Sequence, residues 1–404
     1  MKVGIVCFTL SFVAGGPRLV FGLARSLEKL GHKVVIYAPD FNAAYYKDTT
    51  HDLDIRVVTP DRPIIWSGQP KNFLDWISRK VRQEKDFADI SKKVASFMDR
   101  DFDVVNIHDF AYRTGYFYKK INPQAKIIWT ENAPPFMFLK RSNPLSNIFG
   151  SAFQFFKELS SSRYFRAIDR VAVLDFFNKK WSEDRGFKDV FVIRAGVDFD
   201  KFYSPAKKIS PEKSQNLQVR ILALGALNPY RRYDDIVLAV SILRGWGYNA
   251  SLLVIANNIW QEDKCRDDLV RLVESKNLQP YVDFEFSGVS DEELRQAYRE
   301  SDVFVQAVYV PPPGNHGWGL VNFEGMAAGL PLVVCETATA TEVLRDGENA
   351  LFVKPRTPQE IAKKIKFLVD HPDKYHAIAS AGQEFTRKEM SWDRYARETL
   401  ALFV

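Results

Sequence analysis

The chain is predicted to be an α/β protein made of two Rossmann-like domains, each with a parallel sheet. Short runs rich in β-branched residues alternate with helical patterns along almost all of its 404 residues. The runs are apolar enough to be covered on both faces, which is typical of parallel strands joined by crossover helices. A polar segment with two prolines, residues 204–216, divides this pattern into two halves and has the composition of a linker.

The strand-like runs and the length together set the predicted domain boundaries. A chain of this length is too long for one ordinary core, so two domains of about 200 residues are expected. We place the first domain at 1–203, the linker at 204–216 and the second domain at 217–388. An amphipathic helix at 389–404 is expected to cross back to the first domain. The strand-like runs are 2–8, 33–38, 54–58, 103–107, 126–130, 170–174, 190–193, 219–224, 250–256, 282–286, 302–307, 331–334 and 350–353.

Other folds lack their sequence signatures. A dinucleotide-binding dehydrogenase should carry Gly-x-Gly-x-x-Gly after its first strand, where this chain reads SFVAGGPRLV. The Gly-Lys-Ser/Thr of a Walker phosphate loop is absent, and no repeat of fixed period indicates a solenoid. Two Rossmann-like domains would instead enclose a cleft between the carboxyl ends of their sheets, where ligands bind in open α/β folds.

Composition narrows the class further. The apolar fraction of 46% and the charged fraction of 26% are those of a soluble globular protein. No apolar run approaches the roughly 20 residues of a membrane span, and the amino terminus enters a strand too directly for a signal peptide, so a cytoplasmic protein is expected. Three separated cysteines and six scattered histidines predict reduced thiols and no bound metal. The net charge of +6 favours anionic partners weakly, and no nucleic-acid-binding motif is present.

The segment PPGNHGWGLVNFE, residues 312–324, predicts a pocket for a nucleotide sugar. A loop of small residues that leads into a helix presents free backbone N–H groups and the positive end of the helix dipole, which together hold a diphosphate. Glu324, one turn inside the helix, is placed to accept hydrogen bonds from ribose hydroxyls. A plain structural turn is disfavoured because two glycines, a histidine and a carboxylate rarely converge in one. The candidate donor-binding residues here are His316, Gly317, Trp318, Gly319, Leu320 and Glu324.

In each half, the loop after the first strand is a further candidate for ligand binding. Gly15 and Gly16 would let the backbone approach a ligand and open a helix, although a tight strand-to-helix turn explains them as well. In the second half, ALGALNPYRRYDD follows a strand, and arginine suits diphosphate because its planar fork makes paired, charge-assisted hydrogen bonds. We expect Arg231 to point toward the ligand and Arg232 to pair with Asp234 or Asp235.

Polar residues also follow two strands of the first half. His108 and Asp109 end the run DVVNI, and Glu131 and Asn132 follow KIIWT. Because strand ends at the carboxyl edge reach the cleft, Asp109 and Asn132 are candidates for holding a sugar, with His108 and Glu131 on the acceptor side. The alternatives are a helix-capping aspartate beside a packed histidine, and ordinary turn chemistry in TENAPP.

Taken in order, these segments resemble a glycosyltransferase of family 4, with the GT-B architecture of two Rossmann-like domains. The resemblance runs from the Gly-Gly loop and GHKVVIYAP through DVVNIHD, VIRAGVD and YRRYDD to FSGVSDEELRQAYRESDVFV, ATEVLRDGENALFV and SWDRY. It implies glycosidic bond formation with retention at the anomeric carbon, from a nucleotide-sugar donor, without a cofactor or a required metal. By this resemblance Asp109, Asn132, Arg231 and His316 would be the catalytic group.

The chain departs from the family pattern at three places. The family has two glutamates separated by seven residues; the second matches Glu324, but the first position is His316. The family's Gly-Arg-Leu reads Gly225-Ala226-Leu227, with Arg231 where a lysine is usual, and its Thr-x-His ends here in Asn132. These changes indicate altered donor specificity or lost activity, so a silent nucleotide-sugar-binding or regulatory protein is the alternative, and a GT-B epimerase a third possibility.

The resemblance implies a hexosyltransferase whose acceptor is a glycan, glycolipid or lipid-linked saccharide. The loop PYRRYDD is similar to PYKRxD of some mannosyltransferases in the family, which gives a weak preference for GDP-mannose over a UDP-sugar. Residues 136–170 hold seven Phe and a local charge of +4. This composition suits peripheral contact with an anionic membrane, as in the synthesis of a growing polysaccharide or a glycolipid. Packing of these aromatics in the first domain's core is the slightly favoured alternative.

Overall fold

The structure is a computed structural model that describes residues 1–11, 15–64, 72–132, 144–206, 218–259, 261–311 and 317–404. The chain divides into two compact units. One comprises Met1–Arg194 together with Trp392–Val404, and the other comprises Ala195–Ser391. Each unit is a parallel sheet with helices, which confirms the prediction of two Rossmann-like domains.

The first unit has, within the described residues, a seven-stranded sheet in the order β3-β2-β1-β4-β5-β6-β7, with every pairing parallel. The chain order reverses between β1 and β4, so ligands are expected outside the carboxyl ends of these strands. The strands are β1 Lys2–Val6, β2 Lys33–Ala38, β3 Ile55–Val57, β4 Val104–His108, β5 Lys126–Glu131, β6 Arg170–Val173 and β7 Val190–Val192.

Crossover helices connect these strands. The central strand β4 is buried along its whole length, as a strand covered by helices on both faces must be. The helices of the first unit are α1 Gly15–Lys29, α2 Ala43–Thr50, α3 Phe73–Phe97, α4 Arg113–Lys119, α5 Pro144–Phe165 and α6 Phe176–Glu183, and its closing helix is α14 Trp392–Leu400.

The second unit repeats this plan with six described strands in the order β10-β9-β8-β11-β12-β13, again all parallel. Its order reverses between β8 and β11. The strands are β8 Gln218–Ala226, β9 Asn249–Asn257, β10 Val282–Glu285, β11 Val303–Gln306, β12 Leu332–Cys335 and β13 Leu351–Val353. The helices are α7 Phe199–Phe202, α8 Tyr233–Gly245, α9 Asp263–Ser275, α10 Asp291–Glu300, α11 Leu320–Ala327, α12 Pro358–Asp370 and α13 Pro372–Glu389.

The boundary between the units lies earlier than the predicted residue 203. The backbone N–H of Val197 donates to the carbonyl of Met390 at 2.7 Å, so the chain after Arg194 is already bonded to the second unit. Residues 204–206 of the predicted linker also belong there. An added Cβ at Gly329, which has φ 73°, would lie 2.8 Å from both the Ser204 carbonyl oxygen and the Ala206 Cα. The remainder of the predicted linker, 207–216, lies outside the described residues.

The carboxyl-terminal helix packs within the first unit. The Trp392 ring covers Gly22 of α1 so closely that an added Cβ would lie 2.4 Å from the ring. The Ser26 hydroxyl donates to the Asp393 carboxylate at 3.2 Å. The helix begins at Trp392, three residues after the predicted start at 389. The Trp392 indole requires a glycine at position 22, because any side chain there would overlap the ring.

Candidate functional site

In the second unit, the turn after β8 places Arg231 directly over a glycine at the end of that strand. Gly225 has φ 155°, and an added Cβ would lie 2.9 Å from the Arg231 Cζ and 3.0 Å from its Nε. The guanidinium Nη1 donates to the Gln306 side-chain oxygen at 3.2 Å, and the Gln306 amide in turn donates to the carbonyl of Leu224 at 2.8 Å. Gly225 therefore makes room for the guanidinium, and Gln306 fixes its direction.

The neighbouring Arg232 has a different role. It adopts a left-handed backbone conformation with φ 55° at the start of α8, and its guanidinium makes two hydrogen bonds to Asp235, at 2.9 and 3.0 Å. It also lies 2.8 Å from an Asp234 oxygen. Arg232 therefore pairs with both aspartates, where a surface pair with one of the two was expected. Asp235 is almost fully buried, so the pair belongs to the packing of the loop rather than to the outer surface.

The loop before α11 has the glycine conformations that a close backbone approach requires. Gly317 and Gly319 have φ 79° and 72°, in the left-handed region that favours glycine. The carbonyl of Gly317 accepts a hydrogen bond from the Thr339 hydroxyl. The carbonyl of Gly319 accepts from both the backbone N–H and the side-chain amide of Asn322, at 3.0 Å each. Both carbonyls are thus engaged within the protein, and the first turn of α11 has N–H groups without intrahelical partners, as every helix start does.

The side chains of this segment turn inward. Trp318 is buried and stacks on Phe323 with ring centroids 5.3 Å apart. Leu320, the first residue of α11, is buried as well. The Glu324 side chain is only 2% exposed, and one of its oxygens accepts a hydrogen bond from the Tyr298 hydroxyl at 3.2 Å. His316, predicted to lie beside the donor sugar, is outside the described residues.

In the first unit, Asp109 follows β4 in a strained conformation. Its φ of 45° is unusual for a residue other than glycine, and such positions persist only where the surroundings hold them. Trp129 on β5 supplies one restraint, because its indole N–H donates to the Asp109 carbonyl at 3.1 Å. The geometry directs the Asp109 carboxylate toward the end of β5.

The Asp109 carboxylate meets Asn132 there. One oxygen accepts the Asn132 backbone N–H and the other accepts its side-chain amide, both at 2.8 Å. The Asn132 carbonyl accepts from the Asn178 amide of α6 at 3.2 Å, and that amide also lies 3.3 Å from an Asp175 oxygen. The structure thus brings Asp109 and Asn132 into direct contact.

The two acceptor-side candidates are buried. His108 has neither ring nitrogen bonded to any described residue, and burial lowers its pKa to about 3, so its ring is neutral at physiological pH. Glu131 is 0% exposed and accepts a hydrogen bond from the Ser182 hydroxyl at 2.8 Å. Burial raises the Glu131 pKa well above its usual value, and the Asp109 and Asp175 charges raise it further. In both residues burial disfavours the charged form.

Gly15 and Gly16 begin α1, as predicted. Among the described residues, an added Cβ at Gly16 would come near the Thr9 hydroxyl alone, at 3.9 Å. The residues just before it, 12–14, are outside the described part of the chain. Among the described residues, no cluster of three or more His, Cys, Asp or Glu side chains is arranged to hold a metal ion.

Sequence reasoning missed the residues that support the site. Gln306, Tyr298 and Asn178 orient Arg231, Glu324 and Asn132, respectively. Gln306 ends β11, the strand that pairs with β8, so a search for polar residues at the ends of neighbouring strands could have found it. Tyr298 and Asn178 lie inside helices with no sequence signal that separates them from packing residues.

Family models match both halves of the chain. The model described as "Glycosyltransferase Family 4" matches residues 13–201, and the one described as "Glycosyl transferases group 1" matches residues 206–385. In the solved structure of Anabaena HepE in complex with UDP and glucose, the same fold covers 100% of this chain and 99% of the other, with a TM-score of 0.73 and 15% identity. This likeness shows the fold: a GT-B architecture of two Rossmann-like domains.

Two curated relatives agree with this class. The chain is 27% identical over 206 residues to the GDP-mannose-dependent alpha-(1-6)-phosphatidylinositol monomannoside mannosyltransferase of Mycobacterium tuberculosis; the match covers 50% of this chain and 52% of the relative. It is 26% identical over 399 residues to the uncharacterized glycosyltransferase MJ1607 of Methanocaldococcus jannaschii, covering 95% and 92%. The chain therefore spans about half the length of the mycobacterial enzyme and nearly all of the archaeal protein.

The two units have the GT-B fold, and both curated relatives are named as transferases of a sugar. The two family models together account for both compact units. The chain belongs to the glycosyltransferases of family 4.

Proposed function

We propose that the protein transfers a hexose from a nucleotide-diphosphate sugar, with retention and without a metal, to a hydroxyl of a glycan, glycolipid or lipid-linked saccharide. The observation that carries this proposal is Arg231, whose guanidinium lies over Gly225 and is oriented by Gln306. A preorganised cation at a strand end of the second unit suits a leaving diphosphate, on which negative charge develops during transfer.

The proposed mechanism needs no protein nucleophile. Arg231 and the N–H groups between Gly317 and Leu320 stabilise the departing diphosphate electrostatically. A phosphate oxygen of the donor takes the proton of the acceptor hydroxyl on the same face of the sugar, which gives retention. Asp109 and Asn132 hold the sugar.

GDP-mannose is the first donor to test. The loop PYRRYDD, residues 229–235, favours it, and the mycobacterial relative is GDP-mannose-dependent by its name. The alternative is a UDP-sugar, since HepE was solved with UDP and glucose. His316 stands where the family has a glutamate and is the residue most expected to alter the choice.

A panel of nucleotide sugars incubated with candidate acceptors tests this function. Sugar transfer with nucleotide release supports it, and retention of activity in EDTA supports metal independence. Calorimetric binding without turnover would replace the proposal with the silent-binding alternative, and an isomerised donor would indicate an epimerase. The anomeric configuration of the product, read by NMR, decides between retention and inversion.

Peripheral contact with an anionic membrane is the second part of the proposal. On α5, Phe155, Phe156 and Leu159 are 63%, 65% and 61% exposed, whereas Phe165 packs on Trp129 in the core. The core-packing alternative therefore applies to Phe165 but not to the exposed pair. Among the described residues no helix is long and apolar enough to cross a membrane.

The charge next to this apolar face fits anionic lipid. Arg163 and Arg166 follow it on the exposed side of the chain, while the acidic Glu158 is paired with Arg185 at 3.0 Å. Each exposed cation contributes about 1 kcal/mol at an anionic surface. Sedimentation with phosphatidylserine vesicles should show binding that weakens with salt and with the double variant Arg163→Glu/Arg166→Glu. The absence of sedimentation at low salt would leave a soluble acceptor.

A further inference from the structure

A chain of hydrogen bonds in the first unit, formed by Asp175, Asn178, Asn132 and Asp109, extends beyond the residues expected to touch a sugar. Asp175 and Asn178 stand at the start of α6, and both side chains are fully buried. Asp175 caps the helix by accepting the Asn178 backbone N–H at 2.8 Å. The Asn178 amide is thereby directed to the Asn132 carbonyl, so a helix cap is connected to the end of β5.

The chain determines which end of the Asn132 amide is available. The amide nitrogen donates to Asp109, whose ionised carboxylate can only accept. The amide oxygen is buried and has no hydrogen-bond partner among the described residues. A buried acceptor left without a partner is costly, and a hydroxyl of a bound sugar would satisfy it.

We infer that Asn178 and Asp175 are positioning residues for sugar recognition: they hold Asn132 so that Asp109 orients its amide and its oxygen accepts a hydrogen bond from one sugar hydroxyl. This inference rests on the proposed function. It assigns the site a preference for a donor that carries that hydroxyl, because a site built to hydrogen-bond a hydroxyl rejects the analogue that lacks it.

The test compares GDP-mannose with its monodeoxy analogues, or the corresponding analogues of whichever donor the panel identifies. In the unaltered protein, one analogue should lose about 10- to 100-fold in kcat/KM, the equivalent of one buried hydrogen bond. In Asn178→Ala, kcat/KM with the full donor should fall by about 10-fold. In this variant the kcat/KM values for the full donor and for that one analogue should become nearly equal, because the Asn132 side-chain oxygen is no longer held in place.

Matched variants separate positioning from stability. Asp175→Asn keeps a side chain that can cap α6 but weakens the acceptor for Asn178, so it should fold normally and show an intermediate loss of hydroxyl selectivity. Ser161→Ala removes another fully buried hydrogen bond of the same unit, to the Tyr112 hydroxyl at 2.8 Å, and should leave the selectivity unchanged. Equal hydroxyl penalties in the unaltered protein, Asn178→Ala and Asp175→Asn would overturn the inference.

A second measurement does not depend on turnover. If no donor is transferred, the proposed function fails, yet the positioning chain is still measurable by hydrogen exchange at the backbone N–H of Asn132, which donates to Asp109. Asn178→Ala should speed this exchange by about 10-fold while exchange in the α1 and α14 helices stays the same. Unchanged exchange at Asn132 would show that Asn178 does not hold it.

Discussion

The candidate ligand edges of the two units differ in how they use charge. In the second unit the edge is cationic, with the Arg231 guanidinium over Gly225. In the first unit burial lowers the pKa of His108 and raises the pKa of Glu131, which disfavours charge on both, and the carboxylate of Asp109 is directed to Asn132. A diphosphate carries charge and a sugar does not, so the edge of the second unit suits an anionic group and the edge of the first unit suits a neutral, hydroxyl-bearing one.

Removing the Arg231 cation from the second unit should have the greatest effect of the substitutions proposed. Arg231→Ala should reduce transfer by about 2–4 kcal/mol of transition-state stabilisation, the range for one preorganised donor. Arg232→Ala is the matched control in the same loop. It should mainly lower Tm, because it leaves the buried Asp235 without its partner. Steady-state kinetics and thermal melts of both variants provide the comparison, and similar small kinetic losses in the two would remove Arg231 from the site.

Donor binding tests the second unit further. Glu324→Gln keeps the side-chain size but removes the carboxylate charge, which should strengthen hydrogen bonds accepted from ribose hydroxyls. The donor Kd should therefore rise about 10-fold while the fold persists. Calorimetry measures this directly. Tyr298→Phe removes only the hydroxyl that donates to Glu324, and it should raise the donor Kd less than Glu324→Gln does. A donor Kd that does not change in Glu324→Gln would contradict the ribose assignment.

Donor choice should depend on the residue that departs from the family. His316→Glu restores the glutamate of the family pattern. We expect the order of preference in the nucleotide-sugar panel to change, because a glutamate accepts hydrogen bonds from sugar hydroxyls, whereas a histidine mainly donates them. Asn315→Asp, a substitution at the preceding position in the sequence, controls for added negative charge. The same donor profile in His316→Glu and the unaltered protein would show that His316 does not select the sugar.

The last prediction concerns the pH dependence of stability, which tests the raised pKa of Glu131 in the first unit and should be modest in size. Because the folded-state pKa of Glu131 is raised, the folded protein keeps a proton that the unfolded chain releases above about pH 4. Its contribution to stability therefore falls by up to about 1.4 kcal/mol per pH unit from there up to the folded pKa. Glu131→Gln, which mimics the protonated acid, should raise Tm at pH 7.

Denaturation over a range of pH checks the sign. The gain in Tm from Glu131→Gln should shrink as the pH falls toward 4, where both proteins are uncharged at this position. Ser161→Ala, a buried substitution in the same unit, should instead change Tm by a similar amount at each pH. A gain from Glu131→Gln that does not vary with pH would contradict a neutral Glu131.

Much of the architecture could be predicted from the order and spacing of the apolar runs. These runs are strands in the fold within a residue or two of their predicted ends, for example 126–130 and β5. The split of two adjacent arginines into a ligand-facing one and a paired one was predicted from charge alone, and the Arg232 half is confirmed. The burial of Glu131 could not be predicted, because a residue at a strand end can face either the ligand or the next helix.

What the sequence determined by itself is chemical identity in local order: which runs are strands, where glycine permits a close approach, and which loop holds an arginine. These follow from steric and hydrophobic properties that act over a few neighbouring residues. Only the tertiary structure decided that Gln306 directs Arg231, that α6 covers Glu131, and that Asn178 meets Asn132. Those contacts join residues far apart in the chain, and both the hydrogen bonds and the desolvation that shifts a pKa arise only once the strands and helices pack together.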